Sequence, residues 1–162
     1  MRAWCWRSQA IKNYALPVAT VFYKTIMSLL PSLSELQAYQ GSAIIEQFYQ
    51  ENPEMSRAAS QQIFVDLLGW MWLCVKRKQA QLKTHMIQPL KHLDAMWHVF
   101  ILHTRTYHEF CQQYFTDYFH HDFEVNGQAH ELTEDELSEY LSACYDFLGE
   151  DWVLRNFAQL LA

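Results

Sequence analysis

Apolar positions recur at spacings of three and four along most of this chain, the period of a helix that buries one face. The clearest stripe reads Ile63, Phe64, Leu67, Leu68, Met71, Trp72 and Val75, and it runs out near residues 79–83. Upstream, Pro31 and the serines at 32 and 34 mark a boundary. Ser34 with Gln37 has the form of a capping box opening a helix through Leu36, Tyr39, Ile44, Ile45 and Phe48, weakened at Gly41. Asn52 and Pro53 suit the N-cap and first position of the next helix. From Pro89 to about residue 120 no further Gly or Pro occurs, which predicts one long helix or two joined near residues 104–106. Thr133 and Glu136 form a second capping box, before Leu137, Tyr140, Leu141, Cys144 and Leu148 on one face. Gly149 suits a left-handed helix end, and Asp151 a cap for a last helix with Trp152, Leu154, Phe157 and Leu161. No alternation of period two persists. The pattern predicts an all-α, single-domain bundle of six or seven helices over residues 31–162, with residues 1–30 as a helical arm.

Composition narrows the setting. Hydrophobic residues make up 51% of the 162, enough for a core, and only four Gly and four Pro argue against a turn-rich β sandwich or a disordered chain. Arg2, Arg7 and Lys12 precede an apolar stretch at 15–30, but Pro17 and Lys24 interrupt it. That pattern fits neither a signal peptide nor a membrane span of about 18 apolar residues, and Met27 is an alternative start. The net charge is −6, and the one dense basic run, Lys76-Arg77-Lys78, reads as a solvated helix end whose cations suit the helix dipole. A nucleic-acid partner is therefore not expected. Four dispersed cysteines without a C-x-x-C pair fit reduced thiols in a soluble, cytoplasmic protein. No P-loop, G-x-G-x-x-G or activated-serine motif occurs, so no nucleotide cofactor is expected.

All eight histidines fall between His85 and His130. Histidine is the usual acid–base group near neutral pH and a frequent metal ligand. On one continuous helix, Asp94, His98, Ile101, Arg105 and His108 share a face, while Trp97, Thr104, Cys111 and Phe115 share the next. Asp94 and His98, four apart, can meet. They can ligate one metal, or the carboxylate can orient the imidazole. His120 or His121 reaches the same point only if the chain folds back. The plainer reading makes Asp94/His98 a hydrogen-bonded pair, His120-His121 a helix end, and Cys111 a buried thiol within an aromatic core of Trp97, Phe100, Phe115 and Phe119.

Residues 93–121 contain Asp94, Trp97-His98, Ile101-Leu102, Thr104, Tyr107, Cys111 and Phe115, then His120-His121. This string resembles the D-x-x-W-H-x-x-I-L-x-T-x-x-Y-x-x-x-C-x-x-x-F pattern, followed by His-His, of glycine-rich-domain-like proteins and their small bacterial members. The resemblance covers about a fifth of the chain, and the glycine-rich tail of the plant members has no counterpart here. It implies metal-capable positions at Asp94, His98, Cys111, His120 and His121, supported structurally by Trp97, Thr104, Tyr107 and Phe115, but no activity. His85, His92, His103 and His130 are expected to be bystanders.

Three functions compete. A metal-binding helical domain would use that ligand set for a divalent transition metal, zinc above all. With one coordination position open, a metal-activated water becomes available. A non-enzymatic module would use Trp97, Thr104 and Tyr107 to organise a core or groove for a protein or small-molecule partner. An HD-type phosphohydrolase would need His98, His121-Asp122 and Asp146 around its metals. A Cys111 nucleophile lacks the electropositive, accessible setting that a reactive thiol needs.

Overall fold

In the computed structural model, residues 30–121 and 132–161 are described. The expected arm before residue 30, the Asn126-Gly127 turn and His130 lie outside them. Among the described residues there are seven α-helices and no strand. They are α1 (Leu33–Gln37), α2 (Ser42–Glu51), α3 (Arg57–Gln79), α4 (Lys91–Leu102), α5 (Thr104–Phe115), α6 (Glu134–Leu148) and α7 (Glu150–Leu161), with a short 3-10 turn, Gln88–Leu90, leading into α4. The all-α class and the helix number follow the pattern of apolar positions.

Helix α3 is the hub, packed by α1, α2, α4 and α6, while α7 closes on α6 and on the 3-10 turn. It is long and apolar enough by length and composition to cross a membrane, yet half of its most apolar window is buried inside the bundle. Its stripe of Phe64, Leu67, Leu68 and Met71 is wholly enclosed and joins Phe48, Phe100, Tyr107, Phe110, Trp152 and Phe157 in one contiguous core.

Several boundaries differ from the sequence pattern. Ser32, not Ser34, caps α1, with Glu35 completing the capping box. The helix expected to pass through Gly41 is two helices. A β-carbon at Gly41 would sit 2.3 Å from the Phe64 ring, so the bare backbone is what lets α3 approach. Asn52 ends α2 by donating from its side chain to the Phe48 carbonyl, and Ser56 caps α3. The Thr133–Glu136 capping box forms, while Gly149 ends α6 at φ 90° and ψ 165°, a positive φ but not the left-handed helical conformation expected. Asp151 lies within the first turn of α7 rather than capping it.

Arg77 departs furthest from expectation. Its place in a basic run suggests a solvated end, but it is only 6% exposed. Its guanidinium donates twice to Glu139 at 2.7 Å and also to the Lys83 carbonyl and the Thr84 hydroxyl, over the face of Tyr140. That partner holds the Glu139 carboxyl below its ordinary range. Beyond Arg77, α3 ends in a Schellman motif. The amide of Leu82 donates to the Arg77 carbonyl and that of Gln81 to Lys78, with Gln81 at φ 61°. The position favours glycine, and Gln81 is exposed. Gln81→Gly is therefore expected to raise stability by about 1 kcal/mol, because relief of left-handed strain exceeds the added freedom of the unfolded chain. Urea titration measures it.

Candidate functional site

The Gly- and Pro-free stretch after Pro89 is two helices, broken at His103, whose φ/ψ of −77° and 57° leave the α region. The break removes the single helical phase that would align His98 with Arg105 and His108. His103 turns to Gln47, donating from Nε2 to its side-chain carbonyl at 2.8 Å, and His108 is exposed near Tyr118. Helix α5 ends at Thr116, a β-branched residue at φ 67°, where the chain reverses. Such a residue costs about 1–2 kcal/mol in that conformation and persists only where its surroundings hold it.

The holding contacts come from the interior. Trp97 on α4 donates from its indole N–H to the Tyr107 hydroxyl at 2.9 Å, and that hydroxyl donates to the backbone carbonyl of Phe119 in a short bond. Cys111, one turn beyond Tyr107, is fully buried beside the Tyr107 hydroxyl and the Phe119 backbone, and burial raises its thiol above the ordinary range. Burial likewise pushes the Tyr107 phenol far up, so it remains a hydroxyl donor. The Phe119 ring packs on Trp97 at 5.3 Å between centroids and on Phe115 at 5.4 Å. Residues 116–121 are thus laid back along α4.

That return brings His121 to Asp94. The His121 Nε2 lies 2.9 Å from the Asp94 Oδ1, and its ring lies 4.2 Å from that of Trp97. One turn on, His98 places Nδ1 2.7 Å from the Asp94 backbone carbonyl and 3.6 Å from the Oδ2. A carbonyl only accepts, so Nδ1 carries the proton and the neutral ring keeps its lone pair on Nε2. The His98 and His121 rings are 4.6 Å apart. One ligand-capable atom from each of Asp94, His98 and His121 lies within 4.8 Å of the others. Asp94 and His121 are half-buried and His98 is exposed, so solvent reaches the cluster.

The other expected ligands lie elsewhere. Cys111 is fully buried and engaged with Tyr107 and the Phe119 backbone. His120 is exposed and packs on Tyr118 at 4.8 Å, because its neighbours 119 and 121 both turn toward Trp97. Thr104 lies exposed at the start of α5, and Phe115 is half-buried against Phe110 and Phe119. Of the HD-type set, Asp122 is outside the described residues, and Asp146 is exposed on α6 and no member of the cluster. What the sequence pattern missed was the Thr116 reversal and its anchoring at Phe119. No glycine or asparagine marks that turn.

No curated protein and no solved structure matched the chain. A family profile does match, over residues 7–146, a span that takes in Asp94, His98, His121 and every residue that anchors the return. The family's name states no activity. The chain belongs to the UCP032817-like family.

Proposed function

We propose that this helical domain binds one divalent transition metal, zinc in the first instance, through Asp94, His98 and His121. The observation that carries the reading is the convergence of two imidazoles and a carboxylate from positions 94, 98 and 121 to mutual spacings within 4.8 Å. A tetrahedral ion about 2.0–2.1 Å from each ligand needs ligand atoms about 3.3 Å apart. The 2.9 Å contact of Asp94 with His121 would open by a few tenths of an ångström, and its bridging proton would leave. Three protein ligands leave a coordination position for water or an outside ligand. The positions coincide with those implied by the glycine-rich-domain-like pattern, less His120 and Cys111.

The test is a titration of chelator-stripped protein with zinc, and with cobalt(II) for its visible bands. One ion per chain is expected, weaker at pH 5 than at pH 7 because the imidazoles must lose protons. His98→Ala and His121→Ala should both abolish it. A folded wild type that takes up neither ion overturns the reading.

The second reading, a non-enzymatic interaction module, draws on the Asp94–His121 hydrogen bond and the Trp97–His121 packing, which hold the return without any ion. On that reading zinc leaves the melting temperature of the wild type unchanged. On the metal reading, binding to the folded state alone raises it.

A further inference from the structure

The bundle has an apolar face that none of its described helices covers, where α3 meets α6. Phe147 on α6 is 43% exposed, and its ring lies 6.1 Å from that of Trp72 on α3. Trp72 is itself only half-buried, and its indole N–H donates to the Pro31 carbonyl at 2.8 Å. That hydrogen bond fixes where the preceding chain arrives: residue 30 adjoins this face.

We propose that residues 1–29 dock on the Trp72–Phe147 face and form part of the folded unit. The segment's composition suits the place. It supplies Trp4, Trp6, Leu16, Val18, Val21, Phe22, Ile26 and Met27 as apolar material. It also holds four of the twelve Lys and Arg (Arg2, Arg7, Lys12 and Lys24) and none of the eighteen Asp and Glu. The remainder therefore carries eight cations against eighteen carboxylates, and Asp146, Glu150 and Asp151 are exposed beside Phe147 in sequence. Lys76 lies over the two rings, its Nζ 5.9 Å from each centroid, and it can swing into solvent on its flexible stem. The family match begins at residue 7, so the family unit takes in most of this segment.

Two measurements on the full chain test the docking. With a photo-crosslinking p-benzoylphenylalanine in place of Phe147, irradiation should join that position to residues 1–29 of the same chain, in a band of monomer mass. Crosslinks only to residues 30–162, a band of doubled mass from a second copy, or no crosslink would each overturn the proposal. In the second, trypsin should cut after Arg7, Lys12 and Lys24 several-fold faster in Phe147→Asp than in the wild type. Equal rates at those three sites overturn it.

Discussion

Arg155→Ala should cost the fold about 3 kcal/mol, read from the urea midpoint, because it strands a buried carboxylate. Asp66, in the middle of α3, is 3% exposed. Its oxygens accept two bonds from the Arg155 guanidinium at 2.8 and 2.9 Å, one from Asn156 and one from Gln62. Its backbone carbonyl takes the Trp152 indole N–H. Arg155 is far more exposed than Asp66, so the two deletions are not equivalent. A lone Arg155 can turn to water, whereas a lone Asp66 cannot. The double variant Asp66→Asn/Arg155→Ala removes the stranded charge and should be more stable than Arg155→Ala alone, a coupling expected between touching residues. If the double variant is the weaker of the two, the stranded charge is not the source of the loss.

Arg77 and Glu139 repeat this arrangement on the other half of α3, again with one member buried and one at the surface. The bundle is thus tied at two heights of its hub helix by ion pairs that reach α6 and α7. Neither tie is legible in the chain. The partners stand 89 and 62 residues apart, and each charged residue alone resembles a surface position. What can be read is what local chemistry decides: the stripe of α3, the Thr133–Glu136 capping box, Pro89 at the 3-10 turn and Gly149 at a positive φ. What cannot be read is what tertiary contact decides. Gly41 stands at a helix break where the Phe64 ring leaves no room for a β-carbon, and His103 and Thr116 end helices with no glycine or proline. The site divides the same way. The Asp94/His98 proximity follows from helical spacing, and the motif positions single out Trp97, Tyr107 and Cys111. Choosing His121 over its neighbour His120 required the direction of the return, which depends on how the carbonyl and ring of Phe119 are held.

Tyr107→Phe tests that dependence. The hydroxyl is the only polar part of a side chain that is otherwise fully enclosed, so phenylalanine fills the same space. The change leaves the Trp97 indole N–H without its acceptor and the Phe119 carbonyl without its donor. Each buried group left unsatisfied costs about 1–3 kcal/mol, so a loss of about 3 kcal/mol is expected. The consequence for the site is separate from the stability loss. With Phe119 released, His121 no longer has a fixed position over Trp97, and zinc affinity should fall by about 10- to 100-fold, the usual effect of removing a group that orients a ligand. Arg155→Ala supplies the comparison: similarly destabilised, but with no contact to the cluster, it should bind zinc as the wild type does at temperatures where both are folded. Equal affinity in Tyr107→Phe and wild type would mean that the return holds its course without the Tyr107 hydroxyl, and that Cys111 and the aromatic packing of Phe119 are sufficient to deliver His121 to Asp94.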